Sequence, residues 1–362
     1  MTDTGPFPEI RGPETIDARW ISRVLQHAGI EAQAAAVEVR PIGTGQIGEC
    51  VRLRLSYAGQ VSGPASIIGK FPSGDPDSLR AGIAGGDYAR EVKFYRDLAS
   101  RSRVSAPACY LAAIDETSGA FALLLEDLSP AEQGDQLSGV SLDQARLVVD
   151  EAAKLHASHW DNPEIADLDW VRLTPGSPYP LPAADVIRQV CEGFCSRFAG
   201  RISDRAEAAC RRYAERVDHY RALPRPHKCV AHYDFRPDNM MFASAAGGRP
   251  IAILDWQTVS HAPGADDLAY FLAGALRPEE RRAHEPELLE RYLGGLFALG
   301  VRNYSMAALQ HEYALGAFRL LATGMGGAMA ARQTERGDRM FIQMVNAAAE
   351  HIHDHDALAL LD

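Results

Sequence analysis

Strict alternation of apolar and polar residues marks the clearest strand of this chain. From Cys50 to Tyr57, Val51, Leu53, Leu55 and Tyr57 share one face while Arg52, Arg54 and Ser56 take the other, the period-two pattern of a half-buried strand. Ser66–Phe71 reads as a second strand, ended by the turn cluster Pro72-Ser-Gly-Asp-Pro76. Residues 86–100 change period: Glu91, Phe94, Tyr95 and Leu98 fall on one helical face. Cys109–Ile114 and Ala120–Leu125 form a hairpin around Glu116-Thr-Ser-Gly119. The texture changes after Leu128. Ser129-Pro130 and a polar stretch to Gly139 connect to Ser141-Leu-Asp-Gln144, a capping-box-like start for a helix reaching His159. Further helices fit 183–199, 203–221, 265–276, 278–299, 304–322 and 332–356, with short strands near Cys229–Ala231 and Pro250–Leu254. The pattern predicts an α+β chain with a small strand-rich lobe, residues 1–128, and a larger helical lobe, residues 129–362.

Composition narrows the function classes. The chain's 362 residues exceed one minimal domain, and 46% hydrophobic content with 23% charged residues supports a sizeable core. A net charge of -11 argues against nucleic acid and anionic membrane surfaces as partners, both of which need clustered Lys and Arg. The six cysteines lack CxxC spacing and read as free thiols, and the polar, Pro-bearing start MTDTGPFPEIRG does not read as a signal peptide. No apolar run approaches the ~18 residues of a membrane span. A cytoplasmic protein is expected.

The candidate chemistry concentrates in His232-Tyr-Asp234-Phe-Arg-Pro-Asp-Asn239, with Asp255 following the apolar run Ile251–Leu254. An Asp and an Asn five apart on a tight loop, with a second Asp beyond, meet two needs of phosphoryl transfer. Asp234 can take the proton from an attacking hydroxyl, and Asn239 and Asp255 can hold Mg2+ against phosphates. His232 reads as a loop-holding hydrogen-bonder, and Asp238 as a further acid of the loop. Upstream, Gly43-Thr-Gly45-Gln-Ile-Gly48 fits G-x-G-x-x-G. In dinucleotide-binding folds those glycines lead into a helix, whereas here a strand follows, as in a Gly loop lying over phosphates. Lys70 stands in an apolar strand and needs a partner, and Glu91, on the core-facing stripe of the next helix, needs a cation. The two read as one pair that aims Lys70 at the phosphates. Glu126 and Leu128, at the lobe connection, offer backbone C=O and N–H groups for an adenine edge. His156 and His159 read as packed or capped histidines, His351, His353 and His355 as an exposed helix end, and Gly324–Ala330 as a close-packed helix start or loop.

Taken together, these residues resemble the aminoglycoside phosphotransferase and choline kinase superfamily, the small-molecule relatives of protein kinases. Glu91-Val-Lys-Phe94-Tyr95-Arg96, Leu124-Leu-Glu126-Asp127-Leu128, Ile253-Leu-Asp255-Trp-Gln257 and Pro263-Gly-Ala-Asp-Asp267-Leu-Ala269 are most similar to the ecdysteroid-kinase-like branch. The resemblance implies a bilobal protein-kinase-like fold and ATP with Mg2+, the terminal phosphoryl group passing to a hydroxyl of a small organic molecule. On it, Asp234 is the base, Asn239 and Asp255 are metal ligands, Lys70 is the phosphate anchor held by Glu91, and Asp267 braces the catalytic loop. Two departures stand out: Tyr233 replaces the usual Gly between His and Asp, and Trp256-Gln257 stands where protein kinases have Phe-Gly. Two rivals follow from the same residues. One is a catalytically silent nucleotide-binding protein acting through partners, and the other a nicotinamide-dependent oxidoreductase resting on Gly43–Gly48 alone.

Overall fold

The computed structural model describes residues 9–42, 48–61 and 63–362. The chain folds as two compact units. The first comprises Met1–Arg101, Ser105–Ala131 and Ala246–Thr258, and the second Ser102–Val104, Glu132–Ala245 and Val259–Asp362. Residues 246–258 therefore rejoin the N-terminal sheet unit after more than a hundred residues of helical structure.

In the first unit, helix α1 (Ala18–His27) begins at Asp17, whose side chain accepts from Trp20 N at 2.7 Å. Trp20, Ile21, Val24 and Leu25 from α1 are buried in one core with Val51, Leu53, Ile67, Leu111 and Leu124. Those residues come from strands β2 (Gly48–Tyr57), β3 (Ser66–Pro72), β4 (Cys109–Asp115) and β5 (Ala120–Glu126), joined at the edge by β1 (Ala34–Pro41). The five strands form an antiparallel sheet in the order β1-β2-β3-β5-β4, with Lys70 opposite Cys50 on one side and Leu123 on the other. The lysine is thus central in the sheet rather than at its edge.

Between β3 and β4 lie α2 (Pro76–Gly85) and α3 (Asp87–Lys93). The cluster Pro72–Pro76, which reads as a turn, is also a helix start: Asp75 accepts from Ser78 N at 2.8 Å and Pro76 occupies the first helical turn. The single helix expected over 86–100 is broken instead. α3 gives way to a π turn at Phe94–Leu98 and a 3-10 turn at Ala99–Arg101. Short π segments recur at functional sites because they re-aim the side chains of one turn.

In the second unit, β6 (Glu132–Gln133) leads to α4 (Leu142–Ser158), where Ser141 and Gln144 complete the reciprocal capping box. The chain continues through α5 (Pro163–Asp167), α6 (Ala184–Arg197), α7 (Asp204–Ala222), β7 (Cys229–Ala231) and β8 (Met240–Ser244). After β9 (Gly247–Ile253), which belongs to the first unit, follow β10 (Ser260–Ala262), α8 (Gly264–Ala275), α9 (Pro278–Ala298), α10 (Met306–Ala330) and α11 (Glu335–Asp354). β7 pairs with β10, Val230 opposite His261. Phe194, Phe198, Tyr213, Phe318, Leu321 and Met344 are buried together in a core drawn from α6, α7, α10 and α11.

Two expectations for this unit are corrected. Gly324–Ala330 is neither a helix start nor a loop but the last part of α10. Its glycines sit where another helix comes close: a Cβ on Gly324 would lie 2.7 Å from Val345, and one on Gly327 2.5 Å from Phe341. His351 is fully buried rather than part of an exposed end, because α11 turns that face onto Tyr313. All six cysteines are free thiols. Among the described residues, no helix is long and apolar enough to cross a membrane.

Candidate active site

The candidate residues fall into two sets, one in each unit. In the first unit, Lys70 Nζ lies 2.6 Å from Glu91 Oε1 and 3.8 Å from Asp255 Oδ1. Residues separated by nearly two hundred positions therefore meet at one ammonium. Burial disfavours that charge, but Glu91 and Asp255 outweigh it and hold the lysine above its usual range. Burial likewise pushes the Glu91 carboxyl up, while the Lys70 ammonium and a hydrogen bond from Gln257 pull it down.

Asp255 sits in the left-handed region, φ 62°, which carries a strain of about 1–3 kcal/mol in a non-glycine residue. What holds it there is the residue that follows. Trp256 is fully buried and stacks on Phe94, ring centroids 3.6 Å apart and planes 7° from parallel. Phe94 is the first residue of the π turn, three positions after Glu91. One aromatic stack thus joins the segment carrying Asp255 to the helix carrying Glu91. The Asp255 Oδ1 atom is buried and makes no hydrogen bond. Asp87 is a carboxylate that sequence reasoning passed over; burial pushes it up to about 6, with Asp255 and Glu91 adding to the rise.

Gly48 opens β2, and a Cβ there would lie 3.0 Å from the Phe71 carbonyl. Gly43 and Gly45 lie outside the described residues. At the end of β5, the Glu126 side chain accepts from Ala108 N at 3.0 Å and from Arg249 Nη2 at 2.5 Å. The Leu128 carbonyl accepts from Ala131 N at 2.9 Å. Asp127, between them, accepts from Ser66 Oγ at 2.7 Å and pairs with Arg52 at 2.7 Å, which ties the segment to β2 and β3.

The second unit carries the loop between β7 and β8. Asp267, almost fully buried in the first turn of α8, accepts from His232 N at 2.7 Å through Oδ2 and from Tyr233 N at 2.8 Å through Oδ1. Its Oδ2 also meets His156 Nε2 at 3.2 Å, and His156 Nδ1 bonds Tyr292 Oη at 2.8 Å. His156 is thus a packed histidine with both ring nitrogens engaged. His232 is fully buried, and its Nδ1 accepts from Asp234 N at 3.3 Å.

Asp234 is surrounded by donors. Tyr270 Oη donates to Oδ1 at 2.6 Å, Asn239 Nδ2 donates to Oδ2 at 2.9 Å, and Arg236 Nε lies 3.2 Å from Oδ2. Burial would raise this carboxyl, but Arg236, Tyr270, His232 and Asn239 together bring it below its ordinary value. Asn239 Nδ2 also donates to the Asp234 carbonyl at 2.9 Å, so both of these bonds use the amide nitrogen and neither uses the amide oxygen. Asp238 serves the loop: it pairs with Arg236 at 3.3 Å and Arg336 at 3.2 Å.

Tyr233 takes φ 69°, the left-handed conformation that a glycine adopts without penalty. Three contacts hold it there: the bond to Asp267, the Arg319 guanidinium 3.8 Å above its ring, and Arg319 Nη2 donating to its carbonyl at 2.8 Å. Sequence reasoning missed Arg319 and Tyr270. Both left a signal. Arg319 is a lone cation in the apolar run Leu315–Leu321, and Tyr270 lies one helical turn after Asp267 on the same face.

A sequence model of the phosphotransferase enzyme family matches residues 80–309, a span holding Glu91, the loop His232–Asn239, Asp255 and Asp267. The chain belongs to this family. Among solved structures, an ethanolamine kinase from Plasmodium vivax is similar over 90% of this chain and 86% of its own, with a TM-score of 0.53 and 11% identity. A protein assigned as an aminoglycoside phosphotransferase from Ralstonia eutropha is similar over 92% of this chain and 97% of its own, with a TM-score of 0.52 and 14% identity. A search of curated proteins returned no match. The phosphotransferase has the expected kinase-like fold, an antiparallel five-stranded sheet with one key helix and a larger helical part. The comparisons span aminoglycoside phosphotransferases and ethanolamine kinases and do not single out the ecdysteroid-kinase-like branch.

Proposed function

We propose that this phosphotransferase moves the γ-phosphoryl group of ATP to a hydroxyl of a small organic molecule. The observation that carries the reading is Lys70, paired with Glu91 at 2.6 Å and facing Asp255 at 3.8 Å. An ammonium locked by one carboxylate and aimed beside another is the arrangement that anchors a triphosphate next to its cation. The reading requires this set and the Asp234 loop to act on the same nucleotide.

The residues fit Mg2+ as the accompanying ion. Asp255 Oδ1 is a buried carboxylate oxygen without a hydrogen bond, and the Asn239 amide oxygen is left outside its bonds to Asp234. Hard oxygen donors of this kind suit magnesium, which prefers few protein ligands beside substrate phosphates. When bound, the ion would neutralise charge on the β- and γ-phosphates. Asp255 and Asn239 are the proposed ligands, and Lys70 the anchor for the phosphate oxygens.

Asp234 is the proposed base. The acceptor oxygen forms a bond to the γ-phosphorus as the bond from that phosphorus to the β–γ bridging oxygen breaks. ADP leaves, and the hydroxyl proton passes to an Asp234 carboxylate oxygen. A carboxylate held below its ordinary range is a weak base, but in a loose transition state the proton leaves late. The first duty of Asp234 is therefore to orient the hydroxyl. Tyr270, Asn239 and Arg236 fix its two oxygens for that purpose. Backbone carbonyls and amides at Glu126 and Leu128, and glycines 43, 45 and 48, are the proposed contacts to base and phosphates.

The test pairs binding with turnover. Thermal shift with ATP and Mg2+ is run beside ADP release over a library of amino alcohols, aminoglycosides, sugars and sterols. Stabilisation by ATP with Mg2+ and ADP release driven by at least one acceptor is the expected result. Stabilisation without transfer to any acceptor would favour a silent nucleotide-binding protein, and stabilisation by NADH alone an oxidoreductase.

A further inference from the structure

Away from the residues assigned to phosphate chemistry, α9 and α11 bring Glu285, His351 and His355 together. One ligand atom from each lies within 4.8 Å of the other two. The histidines are four apart, His351 in the last turn of α11 and His355 at its C-cap, their ring centroids 4.5 Å apart. His351 is fully buried, and its Nε2 meets the Tyr313 carbonyl at 3.1 Å. A carbonyl only accepts, so the proton is on Nε2 and the lone pair on Nδ1. That Nδ1 atom is buried without a hydrogen-bond partner. A backbone carbonyl holding the far nitrogen of the ring is the outer support that metal-bound histidines use.

Glu285 is held from behind in the same way. Its Oε2 accepts from Arg281 at 2.6 Å and from Tyr313 Oη at 2.9 Å, while Oε1 faces His355 Nε2 at 2.9 Å. That nitrogen is also buried and out of hydrogen-bonding alignment. A plain ion pair between Glu285 and His355 would explain this one contact and leave the His351 nitrogen unanswered. Arg281, the nearest cation, is shared with Asp354, so it does not cancel the Glu285 charge alone.

We propose that Glu285, His351 and His355 form a binding site for a divalent transition-metal ion of the zinc class, with water completing the coordination. Two imidazole nitrogens and one carboxylate oxygen are a zinc donor set, not a magnesium one. Tetrahedral coordination with bonds of about 2.0–2.1 Å spaces ligand atoms about 3.4 Å apart, a small closure of the cluster. The ion would clamp α9 to α11, behind the buried face of α10 that carries Tyr313.

Protein stripped with a chelator is titrated with Co2+ and then Zn2+, in the absence of nucleotide. The expected result is one Co2+ per chain with the visible absorption of tetrahedral coordination, displaced by Zn2+. Zn2+ also raises Tm, and Mg2+ does not. His355→Ala, at the outer edge of the cluster, is expected to keep its Tm in chelator and lose stoichiometric uptake. Glu285→Gln, nearly isosteric, is expected to weaken uptake about tenfold or more. No uptake by the wild type, or uptake retained in His355→Ala, overturns the proposal. Phosphoryl transfer is not the readout, so either outcome leaves the catalytic reading where it stood.

Discussion

Tyr233 holds a left-handed backbone that a glycine would adopt without penalty, and the fold works to accommodate it. A φ of 69° costs a non-glycine residue about 1–2 kcal/mol. The Arg319 guanidinium over the ring and the two hydrogen bonds of the Tyr233 backbone, to Asp267 and from Arg319, offset that cost. Tyr233→Gly and Tyr233→Ala both delete the ring, but only the alanine keeps the strain. Chemical denaturation should find the alanine variant less stable than the glycine variant by about 1 kcal/mol. Equal stabilities would mean that the loop relaxes and the strain is not stored there. Asp87 gives a second test at this scale, one of pH. Its carboxyl, raised to about 6 by burial from an ordinary 3.8, costs nothing where it is protonated in both states. As pH rises from 3.8 towards 6, only the unfolded chain gives up the proton, and the full cost is present above 6. Asp87→Asn should therefore stabilise the protein at pH 8 and change little at pH 4. A gain independent of pH would point to packing instead of charge.

At the scale of elements, the stack of Trp256 on Phe94 is the joint between strand β9, the π turn and α3. Removing a fully buried tryptophan costs about 3–5 kcal/mol. Trp256→Ala should lower Tm and, because Asp255 is the preceding residue, weaken ATP binding in Mg2+ more than in its absence. An unchanged metal dependence would separate the stack from Asp255. The seam between α10 and α11 is a second joint. Gly324 faces Val345 with no room for a side chain, so Gly324→Val should destabilise by about 1–3 kcal/mol from overpacking. A neutral result by thermal denaturation would mean that the helices separate easily.

These joints also explain what could be read from the residues alone. Alternation in Val51–Tyr57 and the stripe of Glu91, Phe94 and Leu98 are local periodicities, so strands and helices were legible where one face meets the core. The pairing of Lys70 with Glu91 was legible because each was a charge in an apolar setting. The π turn was not, since the stripe Glu91–Leu98 fits an unbroken helix equally well until Trp256 packs against Phe94. Tyr270 and Arg319 each left a local mark, but what they touch depends on which helix faces the loop, a tertiary fact that no window of residues contains. His351 was misread for the same reason: its burial comes from Tyr313, thirty-eight residues upstream.

For the whole molecule, membership of the phosphotransferase family sets the reaction class. The central claim is a division of labour, in which Lys70 and Asp255 hold the nucleotide and Asp234 acts only on the acceptor hydroxyl. Asp234→Ala, assayed for ATP affinity by calorimetry and for phosphoryl transfer with a productive acceptor, tests this most directly. The ATP Kd in Mg2+ should stay within a few-fold of the wild type while turnover falls by about 10²–10⁴-fold. Turnover equal to the wild type, or ATP affinity lost in step with turnover, would contradict it.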